Sequence, residues 1–427
     1  MSELRLLKEK RQHHSDSLLM AKMQPPATGK LYSRPRLFAR LDVASTLTLV
    51  TAPAGCGKTT LLCDWTATHP KSTSWVTLDE TDNNLRQFLA YMTAALDIGI
   101  EAHSPEEMLI AVLNGTPADG KPHTLILDNY HVIANGEVHR AVAFLLEHCP
   151  PNLRLIIAGR NVPPLPLARL RVRGKLNHIR STELALSQQE AAGFLSERRL
   201  SGNAAMVAAM EGWAAGLQFI ALAAAESSAP DEQALLIRNY VREFVAQEIL
   251  PAYPPNVQEF LLHTSILDTL TPERCNTLTK RQDGYAILES LITEGNFIRR
   301  LGEDCYRYAP FFQTALREHL ALTSPSVMAE LLERAEAIHS ERGQSANMPG
   351  DLALSQREHE VLTMLADGLS SPEIARRMII AVSTVKTHIK HIYRKLEVDN
   401  RYQAVKRAQE LNIIQMQMEE RMRKMFR

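Results

Sequence analysis

Four short runs of β-branched and apolar residues mark the first part of the chain: Leu47-Thr48-Leu49-Val50-Thr51, Ser74-Trp75-Val76-Thr77-Leu78, Thr124-Leu125-Ile126-Leu127 and Leu153 to Ala158. Continuous hydrophobicity of this kind, without polar alternation, is the pattern of strands covered on both faces. Between the runs, apolar positions recur at helical spacing, as in Leu85 to Leu96 and Val138 to His148. Strands alternating with helices predict an α/β domain with a mostly parallel sheet. Past Leu184 the strand-like runs give way to helical patterning rich in Ala, Leu, Glu and Gln, with Ser187 and Glu190 spaced as a capping box. From Pro251 to Leu322, helices mixed with a hairpin at Gly295 to Tyr308 predict a second small domain. Residues 340–352 then have the Gly, Pro, Ser and Asn content of a flexible connector.

Beyond that connector the helical period returns. Leu354 to Glu358 opens a helix with a second capping-box spacing, Ser355 to Glu358, and Val361, Leu362 and Leu365 form one buried stripe that Gly368 ends. Ser371-Pro372-Glu373 starts a short helix through Met378, and a third runs from Val382 to Leu396. Two short helices joined by a tight turn predict a helix-turn-helix.

Length and charge narrow the classes. The 427 residues suffice for about three domains at ~150 residues each. With 45% hydrophobic and 22% charged residues the composition is that of a folded protein, and 48 basic against 48 acidic residues leave no global charge to identify a partner. Local charge does more: Val382 to Leu396 carries Lys386, Lys390, Arg394 and Lys395 with no Asp or Glu. The five cysteines are scattered with no C-x-x-C pair, which argues against a disulfide framework or zinc site and for a reducing cytoplasm. The most apolar stretch, Phe219 to Ala225, is far shorter than the roughly 18 residues a membrane-spanning helix needs. Residues 1–23, with Arg5, Lys8, Lys10, Arg11 and Asp16 among leucines, lack the apolar region of a signal peptide and predict a peripheral, partly ordered helix.

The strongest chemical signal is Ala52-Pro53-Ala54-Gly55-Cys56-Gly57-Lys58-Thr59, lying directly between the first strand and the apolar helix that starts at Thr60. In a phosphate-binding loop the glycines let backbone N–H groups turn inward around phosphate oxygens. Lys58 brings a positive charge to the β/γ-phosphates, and Thr59 offers its hydroxyl to Mg²⁺ at a helix N-terminus that favours anions. Ala52 stands where the pattern's first glycine usually does. Ala52, Gly55, Cys56, Gly57, Lys58, Thr59 and Thr60 are therefore expected to bind nucleotide. Asp128, ending an apolar strand, is expected to share the metal with Thr59. Asn129 follows where hydrolysing relatives commonly carry a second acid, and an amide has no basic lone pair to take a proton. No catalytic residue is assigned. Arg160, ending the fourth strand, is placed to reach the γ-phosphate. On the third C-terminal helix, Lys386, Thr387 and Lys390 lie in the half that enters a major groove, while Arg394, Lys395 and Arg401 suit phosphates.

Leu354-Ser355-x-Arg357-Glu358-x-Glu360-Val361-Leu362, Ile374-Ala375, Thr384-Val385-Lys386-x-His388, Lys395-Leu396 and Asn400-Arg401-x-Gln403-Ala404 closely resemble the LuxR-type DNA-binding domain. Upstream, Arg34-Pro35-Arg36-Leu37, Trp75 to Asn83, Leu127-Asp128 and Pro163 to Arg171 resemble the MalT-like signal-transduction ATPases with numerous domains, the STAND class. Glu211 to Gln218 and Phe260 to Leu267 look like that family's helical and winged-helix signatures. The resemblance implies a multidomain architecture: an N-terminal extension (1–30), an α/β P-loop NTPase core (31–184), a helical domain (185–248), a winged-helix-like domain (249–325), a linker (326–352) and a C-terminal all-α helix-turn-helix domain (353–427).

The resemblance also implies a switch that is ADP-bound at rest and that, with ATP and Mg²⁺, self-associates, binds double-stranded promoter DNA and recruits RNA polymerase. At most a slow ATPase is expected. Three departures stand against the family pattern: Asn129 for an acid, Ala309 for a histidine that contacts ADP after the Tyr306-Arg307-Tyr308 run, and Ala381 for the Ser or Thr that caps the recognition helix. Large members also place a helical-repeat sensor before the DNA-binding end, where this chain has only a short connector. Two other readings remain: an ATPase signalling or scaffold protein whose C-terminal helices bind protein, and a nucleotide-independent DNA-binding protein.

Overall fold

The computed structural model describes residues 18–29, 32–99, 104–115, 122–200, 204–295, 297–343, 354, 356–378, 382–396, 398, 400–411 and 413. The chain divides into two compact units, one running to Ala335 and one beginning at Glu336. The first is organised around a five-stranded parallel sheet of β1 (Leu47–Thr51), β2 (Thr73–Thr77), β3 (His123–Asp128), β4 (Leu153–Gly159) and β5 (Leu176–Arg180), in the order β2-β3-β4-β1-β5. Strands β1 to β4 are the four apolar runs of the sequence. The fifth escapes the sequence reading because it lies at the sheet edge beside β1, where only Asn177 and Ile179 turn inward, so Leu-Asn-His-Ile-Arg shows no apolar run. The register aligns Thr51 with Gly159 and Arg180, and Thr77 with Asp128, so the loops that follow β1, β3 and β4 leave from one edge of the sheet. In open parallel sheets that carboxyl edge is where ligands bind.

Helix α1 (Pro35–Leu41) precedes β1, and α2 (Lys58–Thr68) follows it. Helices α3 (Leu85–Ala95), α4 (Pro105–Asn114) and α5 (Gly136–His148) bury Phe88, Met92, Val112, Val142 and Leu145 against Leu49, Val76, Leu125 and Ile157 of the strands. The described end of the N-terminal segment is docked, contrary to the peripheral helix expected there: Leu18 and Met23 pack on this core and Lys22 is buried. Its Nζ lies 2.5 Å from Asp82 Oδ2 and 3.0 Å from Asp79 Oδ2, the pairing that makes a buried ammonium tolerable.

Helix α6 (Gln188–Ser196) begins with the expected capping box, Ser187 N–H donating to Glu190 Oε2 and Glu190 N–H to Ser187 Oγ. Helices α7 (Ala214–Glu226) and α8 (Pro230–Phe244) follow, and α8 continues into a π-helical turn, Val245–Ile249. Then come α9 (Pro255–Thr264), α10 (Pro272–Thr279), α11 (Gly284–Thr293), the hairpin β6 (Ile298–Gly302) and β7 (Cys305–Tyr308), and α12 (Pro310–Thr323). Residues 326–343, expected to belong to a linker, are helical instead. Helix α13 (Pro325–Gly343) buries Leu331 and Ala335, and Arg334 donates to the Leu278 carbonyl.

The second unit packs α14 (Gln356–Ala366), α15 (Ser371–Met378), α16 (Val382–Leu396) and α17 (Arg401–Glu410) around Val361, Leu362, Leu365, Ile374, Val385, Ile392 and Leu396. Gly368, at φ +90°, ends α14 as the sequence suggests. The Ser355 cap, Ala381, the Thr387 side chain and the methionine-rich tail from Gln415 lie outside the described residues.

Candidate nucleotide and DNA sites

The loop Ala52 to Gly57 carries the chain from β1 into α2, with Gly55 at φ +74° and Gly57 at φ +81°. That left-handed backbone favours glycine, and a Cβ on Gly55 would also lie 2.7 Å from the Ala215 Cβ. Lys58 is buried, and its Nζ donates to the carbonyls of Ala52 at 2.7 Å and Pro53 at 2.9 Å, folding the side chain back over the loop. Burial holds its pKa below the usual lysine value, partly offset by Cys56 and Asp128. Thr59 Oγ1 donates to Asp128 Oδ2 at 2.7 Å. Ala52, Gly55, Cys56, Gly57, Lys58, Thr59, Thr60 and Asp128 thus come together at one sheet edge.

Asp128 is 1% exposed, and its Oδ1 is buried without a hydrogen-bond partner. Burial raises its pKa, countered by the Thr59 hydroxyl, the Asn129 N–H and Lys58. Among the described residues no three His, Cys, Asp or Glu cluster as a metal site. One carboxylate beside a threonine hydroxyl nonetheless suits Mg²⁺, which takes few protein ligands and completes its shell with phosphate and water oxygens. The orphaned Oδ1 fits that role.

Asn129 sits at φ +60°, a conformation asparagine tolerates, and brings an amide where an acid was looked for. Two residues on, His131 escapes the sequence reading because a single histidine has no spacing to mark it. Its Nδ1 is buried without a partner, and burial, with Arg160 and Lys58 nearby, lowers its pKa to about 4, so the ring is neutral at pH 7.

A cavity of about 590 Å³ opens beside the loop, lined by Gly57 and Thr60 and, from distant segments, Tyr32, Arg34, Phe194 and Arg198. Its size falls within the ~300–1,000 Å³ of small-molecule sites. Arg198 stacks on the Phe194 ring, with the guanidinium carbon 3.7 Å from the centroid, and Tyr32 meets that ring edge-on. The aromatic wall and the phosphate loop occupy one cavity, although no local pattern links their residues.

The start of α7, outside the α/β core, clasps the loop through two donors. Trp213 Nε1–H donates to Ala54 O at 3.2 Å, and Ala215 N–H donates to Gly55 O at 2.9 Å. Trp213 in turn stacks on Phe311 of α12, with ring centroids 4.5 Å apart. Glu211, at φ +47°, pairs with Arg299 and Arg307 of the β6–β7 hairpin, each at 3.1 Å. Ala309, where a histidine was looked for, is buried and lines a cavity of about 100 Å³ with Cys56, Trp213 and Phe311. Arg160 stands at the end of β4 as expected, but its guanidinium is turned to Glu248, with Nη1 2.7 Å from the carbonyl and Nη2 3.1 Å from Oε2.

In the second unit, Lys386, Lys390 and Arg394 are exposed on α16, with Lys386 and Lys390 one turn apart, while Val385, His388, Ile392 and Leu396 are buried. Two expected phosphate contacts are otherwise engaged. Lys395 Nζ donates to the buried Glu358 Oε2 at 2.6 Å, and Arg401 donates to the Leu365 carbonyl at the end of α14. A charge count along one helix cannot reveal a partner 36 or 37 positions away.

Residues 246–328 match the family model described as the MalT winged helix domain, and residues 352–408 match the bacterial regulatory proteins of the luxR family. The HTH-type transcriptional regulator MalT of Serratia proteamaculans is 33% identical, the match taking in 79% of this chain and 42% of the relative. The chain is MalT-like. The MalT of Klebsiella pneumoniae is 31% identical with the same coverage, so the MalT-like chain spans about two fifths of the length of these relatives. The Walker-type ATPase of Pyrococcus abyssi shares the fold at a TM-score of 0.51 and 15% identity, over 67% of this chain and 96% of that one. In this MalT-like chain an α/β core of P-loop ATPase type, a winged-helix domain and a LuxR-type helix-turn-helix therefore follow one another.

Proposed function

We propose that this chain is a transcriptional regulator of the bacterial cytoplasm that binds ATP or ADP with Mg²⁺ at the β1–α2 loop and promoter DNA through α16. The observation that carries the reading is the Thr59–Asp128 hydrogen bond at the end of a loop whose Gly55 and Gly57 line a 590 Å³ cavity, on the same chain as a helix presenting Lys386 and Lys390 side by side. The loop's N–H groups and Lys58 would hold the β- and γ-phosphates, and Thr59 with the free Asp128 Oδ1 would hold the cation, which supplies positive charge to those phosphates. Tyr32, Phe194 and Arg198 would enclose the base, and Arg160 would meet the γ-phosphate. On the DNA side, Lys386 and Lys390 would read base edges with Thr387, and Arg394 would touch phosphate.

Asn129 offers no base for the attacking water, so turnover is expected to be slow and the site to act as a switch. ATP-dependent self-association and recruitment of RNA polymerase complete the reading. Purified protein tests it directly. Tight ATP and ADP binding that Lys58→Ala abolishes, with promoter affinity that depends on the bound nucleotide, is the expected result. Promoter binding indifferent to both nucleotide and Lys58→Ala would sink the switch and leave a nucleotide-independent DNA-binding protein. Absence of any salt-dependent DNA affinity would instead favour the ATPase signalling reading.

A further inference from the structure

Arg160 is turned away from the phosphate loop by its contacts with Glu248. Glu248 lies in the π-helical turn Val245–Ile249, at the C-terminal end of α8, where buried Val245 and Ile249 fix the backbone. Prolines 251 and 254 stop the helix from continuing. A helix end leaves carbonyls without intrahelical partners and carries partial negative charge, and both attract a guanidinium. Arg160 accordingly donates from one terminal nitrogen to the Glu248 carbonyl and from the other to its carboxylate. Both prongs of the fork are committed to a single residue outside the α/β core.

The arginine nonetheless stays within reach of the phosphate loop. Its charge acts on both Lys58 and His131. Arg160, Glu248 and the loop residues Pro53 and Ala54 also border a single cavity of about 370 Å³, a space into which the guanidinium can swing.

We propose that Glu248 is a specificity-determining residue for the nucleotide: by holding Arg160 it withholds from the γ-phosphate the cation that distinguishes ATP from ADP. This rests on the nucleotide reading above. ADP has no γ-phosphate, so it binds with the Arg160–Glu248 pair intact. ATP must break the pair to engage Arg160, and its affinity is lowered by the strength of that pair.

The test compares ATP and ADP dissociation constants, with Mg²⁺, for wild type, Glu248→Gln, Arg160→Ala and the double variant of the full chain. Glu248→Gln keeps size and hydrogen-bonding capacity but removes the charge. It is expected to raise the preference for ATP over ADP about three- to fivefold, the scale of a half-exposed ion pair, with ADP affinity unchanged. In the Arg160→Ala background the same substitution is expected to have no effect on the preference. Denaturant unfolding of each variant verifies that the turn still folds, and Glu248→Ala provides a second removal of the charge. An ATP-to-ADP preference unmoved by Glu248→Gln and Glu248→Ala, or moved equally without Arg160, overturns the assignment while leaving the nucleotide site standing. A wild-type chain that holds neither nucleotide overturns the site itself, and Glu248 with it.

Discussion

At the scale of single residues, titrating groups divide by burial. His178 sits on β5 with Nε2 2.8 Å from Thr51 Oγ1, directly below the phosphate loop. Burial first, then Arg180 and Arg171, lowers its pKa to about 4, with Glu183 opposing. A histidine with a depressed folded pKa is neutral in the native state while the unfolded chain takes up a proton near pH 6.5. Stability is therefore full above about pH 6.5 and lost as pH falls toward 4. Denaturant unfolding at pH 7 and pH 5 should show that loss in wild type and a smaller one in His178→Gln. If the two losses are equal, His178 is not its source. Residues of this kind divide by legibility too. Lys58, Thr59 and Asp128 were readable because the phosphate loop and the strand-end acid have fixed local spacing. Glu248 was not, since what ties it to the site is its pairing with Arg160, and that arises only when β4 and α8 fold.

At the scale of elements, local period translated well into helices and central strands, and edge or contact roles did not. The limits of α15 and α16 agree with the sequence reading because Pro372 and the buried stripe of Val385, Ile392 and Leu396 are local signals. Lys395 and Arg401 tie α16 and α17 to α14, which leaves Lys386, Lys390 and Arg394 as the outward cations of α16. Substitutions should separate the two groups. Lys386→Ala or Lys390→Ala is expected to cost about 1–3 kcal/mol of specific DNA binding and to relax sequence preference at one position. Arg401→Ala, which removes the donor from the Leu365 carbonyl, is expected to cost about 1 kcal/mol of stability and to leave sequence preference intact. Binding curves on matched and scrambled sites, beside unfolding curves, check both. Loss of sequence preference in Arg401→Ala would return that residue to the DNA face.

At the scale of the whole first unit, Trp213 is the joint between the α/β core and the helices after it. Its ring contacts Phe219, Phe244, Phe297 and Phe311, while its N–H reaches the loop carbonyl of Ala54. Trp213→Ala is expected to destabilise this unit by about 3–5 kcal/mol, read by denaturant unfolding, and to weaken nucleotide binding. Trp213→Phe keeps an aromatic ring and should lose only about 1 kcal/mol with the hydrogen bond. Equal costs for the two would mean that packing is not what Trp213 supplies. The clasp has a further consequence. The glycines and lysine of residues 52–59 are contiguous, but the donors that fix the carbonyls of Ala54 and Gly55 come from Trp213 and Ala215. The anion cradle is thus not a portable cassette. Grafted with β1 and α2 into another sheet, it would carry the charge and the turn residues and leave behind the two donors that set their shape.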